Sequence, residues 1–267
     1  MGKMTKRSKV FYILYITVLF VFFYLPIVVT MIFSFNDSKS LTNWTGFSFR
    51  WYGQLINDGS VMKAVLVSVT IAIFATIIST VLGTITAIGL SKCRRFVRET
   101  VLNINNIPIM NPDIVTAIGL MLLFISIKVQ PSMVTLILSH ISFCIPYVIL
   151  TVMPKLRQLD DNVAEAALDL GATPWKALTK VIIPQIMPAI LSGALIAFSM
   201  SLDDFVVSYF NAGVGINTIS MFVYSMKRYN LSVNAMSTLI VVTVTLVLVL
   251  VNLIPWIKDR KAQKEET

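Results

Sequence analysis

Residues 64–91 read AVLVSVTIAIFATIISTVLGTITAIGLS, a stretch without one charged side chain. At the ordinary helical rise such a stretch extends about 42 Å, past the roughly 30 Å of bilayer hydrocarbon. Its apolar residues are continuous instead of alternating, so the pattern is that of a spanning helix and not of a barrel strand. A segment of this kind has no place in a small water-soluble core. It sets the class of the chain.

Five further stretches share the property: 10–34, 101–127 (interrupted only by Asp113), 132–152, 181–202 and 235–257. The chain of 267 residues is 56% hydrophobic and 13% charged, with a mean hydropathy of +0.81, which excludes an ordinary soluble domain. The expected fold is an all-α membrane protein of six transmembrane helices. The first follows the basic KMTKRSK like a signal peptide, but it is too long for one and lacks a small-residue cleavage site, so it reads as an uncleaved anchor. Residues 205–226 are also uncharged, yet they carry NAGVGINT, whose glycines and asparagines favour turns.

Basic residues decide that seventh case. With six spans and an inner N-terminus, 16 of the 22 Lys/Arg fall on the cytoplasmic side, in the segments 1–9, 92–98, 155–180 and 258–264. A seventh span would place the basic KDRKAQK tail outside. Residues 205–226 are therefore read as an outer-side loop or re-entrant segment, and both termini as cytoplasmic. The net charge of +9 is accounted for by orientation and lipid-surface attraction, and no basic face with interleaved aromatics suggests nucleic acid.

The chemistry of the chain is sparse. No G-x-x-x-x-G-K-[ST] loop is present, so any ATP is used by another subunit. Cys93 and Cys144 belong to no metal pattern, and no cofactor or metal is expected. His140, the sole histidine, reads as an interhelical hydrogen-bond partner or as part of a pore lining. Acids at membrane depth are costly and mark functional candidates: Asp113, Asp203 and Asp204. The pair at 203–204 falls at the outer end of span five, either as a solvated helix end or as an acidic mouth meeting a cation. In helical register Ser201 and Ser208 share the face of Asp204, at i−3 and i+4, which favours Asp204 over Asp203 in a substrate path.

Between spans four and five lies EAALDLGATPWKALTKVIIPQ, residues 165–185, a helix-turn-helix of soluble character. Asn162 is placed to cap the first helix, with Glu165 reaching back, and Val163, Ala166, Ala167 and Leu170 make its apolar stripe. Gly171 ends it in a left-handed turn. Thr173 caps the second helix, Pro174 fits its first turn, Trp175, Leu178 and Ile182 make its stripe, and Pro184 stops it. Such a knob is either a connecting loop or a rigid lever for a soluble partner.

The segment resembles the EAA loop of ATP-binding-cassette importer permeases, matched at Glu165, Ala166, Ala167, Gly171 and Pro184, with Leu178 where a Phe is usual. SFNDS, WTGFSFRWY, NPDIVTAIGL, SHISFCIPYVI and SLDDFVVSYF extend the resemblance to the C-type permease of spermidine/putrescine importers. It implies a type I importer permease in a bacterial cytoplasmic membrane, one transmembrane domain over 1–267 with a core at about 62–257 and a cytoplasmic coupling loop at about 153–183. It also implies a second permease, two ATPase subunits and an extracytoplasmic polyamine-binding protein as partners. The coupling surface would comprise Glu165, Ala166, Ala167, Gly171, Ala172, Trp175 and Leu178, and the substrate path Asp113, His140, Ser201, Asp203, Asp204 and Ser208. A permease for another solute, or an ion-coupled secondary transporter, is the alternative. The latter is disfavoured because the halves show no repeat and spans one, two, four and six hold no midplane carboxylate.

Overall fold

The computed structural model describes residues 6–38, 43–226, 231–246 and 249. It is helical: α1 (Lys6–Phe33), α2 (Arg50–Asn57), α3 (Gly59–Lys92), α4 (Arg95–Met110), α5 (Asp113–Ser126), α6 (Met133–Arg157), α7 (Asp161–Asp169), α8 (Pro174–Ala177), α9 (Ile183–Asp203), α10 (Val206–Asn211) and α11 (Ile219–Ser225). A further apolar helix, α12, covers Leu231–Leu246. An isolated bridge between Asn36 and Phe47 is the one extended pairing among the described residues.

Among the described residues four helices are long and apolar enough to cross a bilayer: Phe11–Phe33, Gly59–Lys92, Met133–Arg157 and Pro174–Asp203. The expected third span is not one straight helix. α4 and α5 meet at 106°, because Asn111 and Pro112 are extended (ψ 148° and 137°). The Pro112 ring disfavours helical geometry at Asn111 and supplies no N–H to continue the ladder. The break puts Asp113 in the first turn of α5. The expected sixth span, 235–257, is helical through Leu246, and its C-terminal part lies outside the described residues.

The chain forms two compact units, Lys63–Ser225 and the pair of segments Met1–Met62 with Met226–Thr267. In the terminal unit Trp51, Leu231 and Ala235 form a small core, and the Trp51 indole donates to the Asn36 carbonyl. In the central unit α3, α6 and α9 share a core of Ala87, Leu90, Cys144, Val148, Val152 and Ile186. Close approach there depends on missing side chains: a Cβ on Gly83 would lie 2.8 Å from Val148 Cβ, and one on Gly193 would meet the Val148 backbone at 3.4 Å. Small residues at helix contacts are the usual means of packing where lipid offers no hydrophobic drive.

Residues 205–226 form no helix long enough to cross a bilayer. They make α10 and α11 joined by a turn with Gly215 at φ 79°, and neither helix approaches the roughly 20 residues a span needs. The hairpin is tied down from three sides. Asn211 Nδ2 donates to the Ala117 carbonyl of α5 at 3.1 Å, Thr135 Oγ1 of α6 donates to the Asn211 carbonyl at 3.3 Å, and the Ile219 N–H donates to Ser68 Oγ of α3 at 2.8 Å.

Candidate functional site

The loop after α6 is built much as its residues predict, with two corrections. Asp160, not Asn162, caps α7, accepting the Asn162 N–H at 3.0 Å. That register places Glu165 in the second turn, beyond reach of a capping box, and leaves it exposed. Gly171 is left-handed at φ 81°; its N–H meets the Leu168 carbonyl at 2.9 Å, and the Ala172 N–H meets that of Ala167 at 3.0 Å. This is a Schellman ending. Thr173 caps α8 by accepting from the Lys176 N–H, with Pro174 at the first position.

The second correction concerns Pro184. It does not stop the helix. Leu178–Ile182 form a π-turn, in which the Ile183 N–H bonds back to the Leu178 carbonyl, and α9 continues directly from it. A wider turn has room for a proline ring and tolerates the bond that Pro184 cannot donate. Pro174–Asp203 is consequently one rod of 30 residues, about 45 Å at helical rise. The expected stripe of α7 is split: Val163 and Ala167 are half-buried, but Ala166 is exposed and Leu170 is 90% exposed. With Trp175 at 71%, the turn presents apolar surface around Gly171, while Ala172 and Leu178 are half-buried.

At the far end of the rod the helix breaks after Asp203, where Asp204 becomes extended (ψ 131°). Asp204 turns its carboxylate to the start of α10, accepting from the Val207 N–H at 3.2 Å and the Ser208 N–H at 2.7 Å. His140 of α6, fully buried, binds Ser201 Oγ through Nδ1 at 2.7 Å and Ser208 Oγ through Nε2 at 3.1 Å, with Asp204 Oδ2 at 3.6 Å from Nε2. Ser201, Asp204 and Ser208 thus converge around a histidine that ties α6, α9 and α10 together. The contact is made by a bent chain and not by one helical face.

Beside this cluster lies a cavity of about 260 Å³. Asp113, Asp203 and Asp204 line it, and its walls include Phe143, Tyr147 and Phe205. Among the described residues no lysine or arginine lines it. Asp113 and Asp203 are exposed, whereas the Asp204 side chain is 10% exposed. The Asn111–Pro112 break brings Asp113 to the same cavity as the pair at the end of α9. The aromatic walls are absent from the expected site, although Phe143 and Tyr147 follow His140 at i+3 and i+7 on α6, a spacing that marks one helix face. Among the described residues no group of His, Cys, Asp and Glu could hold a metal ion. A concave site with three acids and aromatic faces suits an organic cation, through charge and ring quadrupole together.

A membrane-embedded helical core, a capped helix-turn-helix bearing the EAA pattern and a polar cavity joined to it by one rod define a transport permease. The chain belongs to the family of binding-protein-dependent transport system inner membrane components, whose model matches residues 79–263. It is 40% identical over 255 residues to the putrescine transport system permease protein PotI of Escherichia coli K12, covering 92% of this chain and 89% of that protein. It is 37% identical over 230 residues to the spermidine/putrescine transport system permease protein PotC of the same organism, covering 85% and 87%. Among solved structures, a chain of the bacterial alginate ABC transporter, in complex with alginate pentasaccharide-bound periplasmic protein, superposes with a TM-score of 0.70 at 16% identity, over 90% of this chain and 93% of that one. The last likeness concerns the fold alone.

Proposed function

We propose that this chain is the pore-forming permease subunit of an ATP-driven polyamine importer in a bacterial cytoplasmic membrane. Asp113, Asp203 and Asp204 facing one aromatic-walled cavity that no basic residue lines among the described residues is the observation that carries the substrate class. The names of the PotI and PotC relatives point to the same di- and polyamines. An ammonium group gains charge pairing and ring contact there, whereas an anionic solute would meet only like charge.

In this reading the chain has six spans, with both termini cytoplasmic, and is one permease domain with its core at about 62–257. It pairs with a second, similar permease to enclose the path, receives substrate from an extracytoplasmic polyamine-binding protein, and assembles with two ATPase subunits. The loop at about 153–183 docks in a cleft of one ATPase through Glu165, Ala166, Ala167, Gly171, Ala172, Trp175 and Leu178. ATP-driven closure of the ATPases moves this loop, and the rod Pro174–Asp203 carries the displacement to the acids at its other end. Hydrolysis resets the cycle.

Substrate path residues divide by role. Asp113 and Asp203, exposed in the cavity, meet the cation, while His140, Ser201, Ser208 and Asp204 hold the break between α9 and α10 and so set the shape of the cavity wall. The test is ATPase stimulation in the assembled transporter on addition of binding protein loaded with putrescine or spermidine. Stimulation by the loaded protein and none by a neutral or acidic solute is the expected result. Stimulation by another solute class alone would refute the polyamine assignment and leave the permease assignment standing.

A further inference from the structure

A second cavity, of about 250 Å³, lies where the coupling loop meets the ends of α3, α4 and α6. Lys92 reaches it from the last turn of α3, Arg98 from α4 and Arg157 from the last turn of α6. Two carboxylates oppose these cations: Asp160 lines the cavity, and Glu99 is shared between Arg157 Nη2 at 3.4 Å and Arg98 Nε at 3.7 Å. The second distance is too long for a hydrogen bond, and the buried Arg98 Nε has no acceptor among the described residues. A buried guanidinium N–H without an acceptor is costly, and a planar guanidinium is matched to phosphate oxygens.

We infer that this cavity binds a phosphate group, and that its source is the head group of an anionic phospholipid in the cytoplasmic leaflet. The inference rests on the orientation proposed above, which places this end of the bundle on the cytoplasmic side, where basic pockets between spans meet anionic lipid. Phe96 and Val97, exposed beside Arg98, offer apolar surface for acyl chains, which a free phosphate would not use. The occupant would bear on coupling. Asp160 caps α7, Val163 lies on it, and Ile182 belongs to the π-turn that joins the loop to α9; all three line the same cavity.

The test counts phosphatidylglycerol retained by the purified, assembled transporter in native mass spectrometry, with and without inorganic phosphate during purification. The parent should retain the lipid. Arg98→Gln should retain it roughly fivefold more weakly, Arg98→Lys should fall between, and the exposed Lys92→Gln gives a second reading if Arg98→Gln assembles poorly. Equal retention by the parent, Arg98→Gln and Lys92→Gln overturns the site. Binding of labelled phosphate by the parent with no lipid retained overturns the lipid as its source. Lipid retention does not depend on the transported solute, so failure of the polyamine reading leaves this result intact. Orientation has its own check: Cys93, exposed next to Lys92, should resist an impermeant maleimide applied to intact cells, and labelling from outside overturns the cytoplasmic placement.

Discussion

Asp203 and Asp204 adjoin in the chain, yet the break after α9 gives them different work. Asp203 is exposed in the acidic cavity, while Asp204 spends both carboxylate oxygens on backbone N–H groups of α10. Asp203→Asn should therefore raise the KM for polyamine uptake with normal amounts of assembled protein. Asp204→Asn leaves one amide oxygen where two carboxylate oxygens accept N–H groups, so it should lower the unfolding temperature and lower uptake by disturbing the cavity wall. Equal and purely kinetic effects of the two would contradict this division. The spacing of Ser201, Asp204 and Ser208 put the three on one face of an unbroken helix and favoured Asp204 for the substrate path. It could not show that the helix ends between them, since that depends on His140 arriving from α6, 61 residues from Ser201, with a partner for each ring nitrogen. Tyr147 was legible in principle, as the i+7 neighbour of His140.

Helix ends decide what the elements can transmit. Gly171 stands at φ 81° with open space where a Cβ would lie, so a substitution there acts through backbone strain and not through a clash. Gly171→Val should cost about 1–2 kcal/mol locally and re-aim α8 relative to α7. Transport should fall while ATPase activity persists and membrane insertion is spared. Transport at the parent rate would show that the turn geometry does not matter for coupling. This turn was readable from the glycine alone, as were the Thr173 cap and the Pro174 start. Pro184 was not: its stop signal is overridden because the π-turn at Leu178–Ile182 relieves the ring, and a proline in sequence does not reveal the turn width before it. The opposite outcome holds at Pro112, where the ring prevails and the expected third span bends by 106°. An Asn-Pro step is a breaker that hydropathy alone passes over.

At the scale of the whole molecule the helix-turn-helix after α6 and the acidic cavity stand at the two ends of one rod, Pro174–Asp203. The class was plain from hydropathy and the EAA pattern, whereas the meeting of Asp113 with Asp203 and Asp204 required tertiary structure, since 90 residues of chain separate them. Glu165 is exposed and does not cap α7, and in the assembly proposed above it meets a basic residue of the ATPase subunit. Glu165→Gln should weaken ATPase association about tenfold, read by pull-down of the assembled complex across a salt series; unchanged association would limit the residue to a solvated helix face. The most direct test of the central claim is ATP-driven uptake of labelled putrescine and spermidine by vesicles containing the assembled transporter, with the parent, Asp113→Asn and Asp203→Asn compared at equal protein. The account predicts uptake that requires ATP and the binding protein and falls at least tenfold in each variant. ATP-driven polyamine uptake that both variants preserve at the parent KM and rate would contradict it.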